Sequence, residues 1–118
     1  MKTKQVVKSI THAEIAEYEL LDAHLDSLID TVEELSKKKQ DEVMNAFKVT
    51  SINKVLKRII ELLGDDPSTS FVEALDESSL PTNSDALLIL KQFKTALSKF
   101  HALRYSRTEL GWDWNVKD

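Results

Sequence analysis

The sequence predicts an all-α fold, an up-and-down helical bundle of three long helices plus one short helix. Three stretches carry apolar residues in steps of three and four, the period of one helix face. Only two Gly and two Pro occur in 118 residues, too few for the tight turns of a many-stranded sheet. Hydrophobic residues make up 42% and charged ones 31%, the balance of a globular rather than a disordered chain.

The first helix is expected from Thr11 to about Ser36. Thr11 and Glu14 have the spacing of a capping box, in which each side chain satisfies an orphan amide of the other. Its stripe is Tyr18, Leu21, Leu25, Leu28, Val32 and Leu35, and Lys37, Lys38 and Lys39 then suit the negative end of the helix dipole. The second helix is expected from about Gln40 to Leu63, with the stripe Val49, Ile52, Leu56, Ile59 and Leu63. Val43, Met44, Phe47, Val55 and Ile60 widen that face, which makes this the most buried helix. The run from Val49 to Asn53 has poor helix propensity and marks a place for a kink or break. Gly64 is the expected stop.

Residues 64–84 read as a polar connection holding a short helix around Phe71 and Leu75, which would share a face and pin the loop to the core. The third helix is expected from Ser84 or Asp85, with the stripe Leu90, Phe93, Leu97 and Phe100. It would run to Tyr105 or as far as Leu110, with Gly111 as its cap. Trp112, Trp114 and Val116 alternate as residues on one face of an extended segment do, and so do Val6, Lys8 and Ile10, which fits a small pairing of the two ends.

Residues 1–118 make one helical-bundle domain by size, with ends at 1–10 and 111–118 that are either flexible or packed back. The absence of Cys excludes disulfides, thiolate metal sites and a Cys nucleophile. The apolar runs are far shorter than the roughly 20 residues of a membrane span. Residues 1–10 hold no apolar run of signal-peptide length. A soluble, cytoplasmic protein is expected.

The formal charge of −4 hides a segregation. Between His12 and Ser36 stand Glu14, Glu17, Glu19, Asp22, Asp26, Asp30, Glu33 and Glu34, with no Lys or Arg. Residues 37–63 carry +4 and residues 86–107 carry +5. Glu19, Asp22, Asp26, Asp30 and Glu33 form an acidic line off the apolar stripe, with their carboxylates expected to point outward. Like charges one turn apart repel by a few tenths of a kcal/mol each. The line therefore reads either as a docking face for a basic protein partner or as a solvated face. The basic residues Lys48, Lys54, Lys57, Arg58, Lys91, Lys94, Lys99, Arg104 and Arg107 read as a complement to the first helix. Aromatic stacking platforms are missing from those segments and the total charge is negative, which argues against nucleic acid as a partner.

No nucleophile elbow or Gly-rich phosphate loop is present, so no enzyme activity is expected. The only His residues are His12, His24 and His101, and no Glu-x-x-His occurs, so no metal or cofactor is expected. His101, beside Phe100, reads as a packing residue. Trp112 and Trp114 are either partner anchors, a role in which Trp is enriched, or a cap on the open end of the bundle. The expected function is a non-enzymatic protein–protein interaction or regulatory module acting through a charged helical surface. An immunity- or antitoxin-type inhibitor of a basic toxin or nuclease is the first alternative, and a nucleic-acid-binding accessory protein the second. A homo-oligomer is left open.

Overall fold

The computed structural model describes residues 7–118. Three helices dominate: α1 (His12–Lys39), α2 (Ala46–Leu63) and α3 (Asn83–Arg104). A 3-10 helix (Pro67–Phe71) lies in the connection between α2 and α3. A hairpin of β1 (Tyr105–Thr108) and β2 (Gly111–Trp114) follows α3. The chain is thus mostly helical, with a small antiparallel sheet that the all-α expectation lacked.

Local chemistry explains where each helix begins. The capping box is present on α1: Glu14 N donates to Thr11 Oγ1 and Thr11 N donates to Glu14 Oε1, both at 3.1 Å. Asn45 caps α2 by accepting from Lys48 N at 2.8 Å. This helix starts six residues later than its apolar pattern suggests, because residues 40–44 are used otherwise. Met44 N donates to Pro81 O, Asn83 N to Glu42 O and Ser84 N to Gln40 O, so the linker before α2 pairs with the linker before α3. Thr82, accepting from Asp85 N at 3.2 Å, caps α3.

α2 runs unbroken through Val49–Asn53. Asn53 is there for another purpose. It is buried, and its amide pairs reciprocally with the Leu75 backbone, donating to Leu75 O at 2.8 Å and accepting from Leu75 N at 2.9 Å. A side-chain amide thus imitates one rung of a sheet and holds the connection to the bundle. The Phe71–Leu75 helix is not formed. Helical geometry comes earlier, at Pro67–Phe71, with Pro in the first turn, where its missing N–H costs nothing. Phe71 is 78% exposed, and Leu75 alone reaches the core.

The topology also departs from up-and-down. The linker pairing sets the start of α3 beside the start of α2. Bonds between Asp66 and Arg104 set their ends together. The two helices therefore run parallel, both antiparallel to α1, and the connection climbs back along them between Asn53 and α3. α1 packs chiefly on α3. The core joins Leu21, Leu25 and Val32 to the α2 stripe, Val49, Ile52, Leu56, Ile59 and Leu63, and to Leu90, Phe93, Leu97 and Phe100 from α3.

Helix α3 ends at Arg104 because its last carbonyls find strand-like partners. Lys8 N donates to Leu103 O and Asn115 N to Arg104 O, both at 2.8 Å. Gly111, at φ 117°, opens β2 rather than capping a longer helix. The two ends do pair: Ile10 bridges Val116 in parallel, with Ile10 fully buried. Val6, the first residue of the expected alternation, lies outside the described residues.

At the foot of the bundle Asp66 is 3% exposed and Arg104 8%. Arg104 Nη1 and Nη2 each donate to the Asp66 carboxylate at 2.7 Å, and Lys8 Nζ adds a third bond at 2.9 Å. The guanidinium also lies 3.8 Å over the Phe100 ring. Burial pushes the Asp66 carboxyl up, but the bonds from Arg104 and Lys8 outweigh it and hold the group below the usual carboxylate range.

Two predictions follow from this packing. Leu56→Ala or Phe93→Ala, each fully buried, should lower stability by about 2–5 kcal/mol in denaturant melts. Asp66→Asn should cost about 3–5 kcal/mol at neutral pH, because it leaves Arg104 buried without its counter-charge. A carboxyl with a lowered folded pKa stabilises fully above its unfolded pKa of about 3.9 and loses that contribution as the pH falls. Melts of wild type and Asp66→Asn should therefore differ fully above about pH 4 and converge below it.

Candidate functional site

The acidic line of α1 lies on the side that meets α3, and it is partly spent there. Lys94 Nζ contacts Asp22 Oδ1 at 2.7 Å and Asp26 Oδ1 at 3.0 Å. Burial alone would push the Lys94 ammonium down, but its bonds to the two aspartates outweigh this and hold it above its usual value. Asp22 and Asp26 thus turn toward α3, contrary to the expected outward direction. Glu33 neighbours Lys37 at 3.8 Å on its own helix. Glu19 and Asp30 are exposed and form no ion pair among the described residues. On the other side of α1, Glu17 accepts from Arg58 Nε at 3.0 Å and ties α1 to α2.

The two tryptophans separate. Trp114 is half-buried and closes an aromatic cluster, edge-on to Tyr18 at 5.2 Å, His101 at 4.7 Å and Tyr105 at 5.6 Å between ring centroids. Such edge-to-face contacts satisfy the ring quadrupoles. His101 is a packing residue in this cluster, stacked on Tyr105 at 4.5 Å. Burial, with the nearby Asp22 charge adding, pushes the Tyr18 hydroxyl up. Trp112 is 64% exposed, parallel to the Tyr105 ring at 6.4 Å.

Val43 and Phe47, expected to widen the buried face of α2, lie exposed instead beside the outer seam between α1 and α2, whereas Met44 is buried as expected. Phe47 is 81% exposed. It borders a hollow of about 150 Å³ whose apolar lining includes Leu28, Val32, Leu35, Met44 and Ile52. Toward the other end of the seam a second hollow of about 180 Å³ lies between Leu20, Leu21 and His24 on α1 and Lys54, Val55 and Arg58 on α2. A third, of about 290 Å³, opens at the top beside Leu35, Val43, Met44 and Lys48. One signal was available in the sequence. Phe47 stands nine residues before Leu56, about two and a half turns, which puts it on the opposite side of α2 from the core.

Among the described residues no three His, Cys, Asp or Glu side chains come together as a metal-ligand set. His12 Nδ1 lies 2.9 Å from Asp118 Oδ1 in solvent, where Asp118 also accepts from His12 N at the start of α1. That backbone bond, with the neighbouring His12 ring, holds the Asp118 carboxyl below the usual range. No helix among the described residues is long and apolar enough to cross a membrane. No protein-family model, curated protein or solved structure matches the chain.

The pairing of Lys94 carries a prediction. Changing Asp22 and Asp26 together to Asn should lower the melting temperature, by up to about 1 kcal/mol in stability, since part-exposed ion pairs contribute little more. The loss should shrink at high salt, where screening weakens the pairs in the wild type. Thermal melts of both proteins at low and high salt check this.

Proposed function

We propose that this chain is a non-enzymatic protein–protein interaction module whose docking surface is the α1–α2 seam, and that it receives a helical segment of a protein partner. The observation that carries this reading is Phe47, a large aromatic left in solvent beside an apolar hollow. Contiguous exposed apolar surface is what interaction sites present. A groove between two antiparallel helices takes the apolar face of a third, with side chains dropping in at one-turn intervals. The seam offers apolar side chains about two turns apart, Leu20, Leu28 and Leu35 on α1 and Phe47 and Val55 on α2.

This moves the proposed contact away from the acidic line. Asp22 and Asp26 would have to leave Lys94 to meet a basic partner, so an inhibitor working through that face has less free charge than the sequence alone suggests. A nucleic-acid role loses weight for a related reason. Arg58, Lys94 and Arg104 are engaged with carboxylates inside the molecule.

Phe47→Asp should leave folding stability within about 0.5 kcal/mol of wild type, as surface substitutions do. It should abolish capture of the natural partner, whereas Asp30→Asn should retain it. Quantitative affinity capture from the native cell, run in parallel with the wild type and both variants, checks this. A partner held equally by wild type and Phe47→Asp would remove the seam from the account.

A further inference from the structure

The charge around the seam identifies the chemistry of its occupant. We propose that the occupant is an amphipathic helix with acidic flanks, supplied by a protein partner; this rests on the docking reading above. The charged side chains that line the three hollows are Lys38, Lys39, Lys48, Lys54 and Arg58, with Glu42 as the single carboxylate. Glu42 neighbours Lys39 at 3.4 Å, and Arg58 is taken by Glu17. Lys38, Lys48 and Lys54 have no ion-pair partner among the described residues. A chain with a formal charge of −4 thus places three unneutralised cations along the seam, Lys48 at the apolar hollow beside Phe47, Lys38 at the top and Lys54 toward the other end. Its acidic line lies on the other side of α1, where Lys94 holds Asp22 and Asp26.

The dimensions fit a helix. Leu20 to Leu35 spans about 22 Å at 1.5 Å per residue, or about four turns of a partner laid along the seam. Apolar side chains of that partner would fill the hollow by Phe47 and the one by Val55. Its flanking Asp or Glu would meet Lys48 and Lys54 on the α2 rim and Lys38 at the top. A phosphate backbone has no use for the apolar lining. A bilayer surface meets a protruding apolar ridge better than a recess between two helices. A helix uses both the recess and the rim. Seating it would place a fourth helix against α1 and α2.

The test uses the full chain with isotope-labelled amides. It is titrated with three synthetic helical peptides of about 18 residues that share one Leu face in steps of three and four. Their flanks are Glu, Gln or Lys. Vesicles of phosphatidylcholine with phosphatidylglycerol form a fourth arm. The Glu-flanked peptide is expected to shift amides around Leu28, Leu35, Phe47 and Val55 and to bind at least about tenfold more tightly than the Lys-flanked one at low salt. That margin should narrow at high salt. Lys48→Glu with Lys54→Glu, both exposed positions, should reverse the preference while the spectrum stays folded. Equal or tighter binding of the Lys-flanked peptide at the seam would overturn the acidic occupant yet leave the seam a docking site. Shifts at the seam with vesicles alone would overturn the helical occupant in favour of a lipid surface. No shift at the seam with any probe would overturn the proposal, while the Phe47→Asp capture experiment decides the docking reading separately.

Discussion

A carboxylate buried at the foot of the bundle holds three distant parts of the chain in one place. Asp66 follows α2, Arg104 ends α3, and Lys8 belongs to the segment before α1. Two parallel bonds from a guanidinium to a carboxylate fix orientation as well as distance. Taking such charges out of water is costly, so the pair is weak evidence for stability by itself. Its consequence is geometric. An arrangement that separates Asp66 from Arg104 without exposing both leaves a bare charge in the core. The ends of α2 and α3 are therefore bound together, and with them the direction of α3.

That direction decides the surface. Because α2 and α3 run parallel, the chain must climb the length of the bundle between them, and residues 64–82 do this. Asn53 clasps the Leu75 backbone, and Glu77 accepts from Thr50 and neighbours Lys57 at 3.6 Å. One side of α2 is covered in this way. Its other side, against α1, has no such cover, and Phe47, Val55 and Leu20 stay at the rim of an open seam. An antiparallel α3 on a short loop would have left residues 64–82 free of that task, and α2 would present a different face.

Charge is used twice in this molecule, for different ends. On one side of α1 Asp22 and Asp26 face Lys94 and fasten α1 to α3, and Glu17 fastens it to α2 through Arg58. Partial neutralisation by Lys94, Arg58 and Lys37 eases the crowding of eight acidic side chains on one helix with no Lys or Arg before Ser36, while Glu19 and Asp30 stay in solvent. The cations of the α1–α2 seam have no such duty at Lys38, Lys48 and Lys54. Unneutralised charge beside apolar surface steers a complementary partner and then sets its register.

Periodicity determined that the chain is mostly helical and which residues form the core stripes of α2 and α3, with Leu21, Leu25 and Val32 of the α1 stripe. Residue type marked the capping chemistry at Thr11, Glu14 and Gly64. These are local properties: a cap or a face of a helix depends on residues within a few positions. Tertiary structure decided the rest. Residues 40–44 look helical by pattern but pair with residues 81–84, forty positions away. Asn53 looks like a weak point but serves the Leu75 backbone. Tyr105–Thr108 continues a helical pattern, yet it turns into a strand because Asn115 and Lys8 take the last carbonyls of α3. Asp66 and Arg104 look like a loop residue and a surface cation. The seam with Phe47 emerges only once α3 and the connection have taken their sides of α2. Each of these depends on a partner distant in sequence, and no window along the chain contains both.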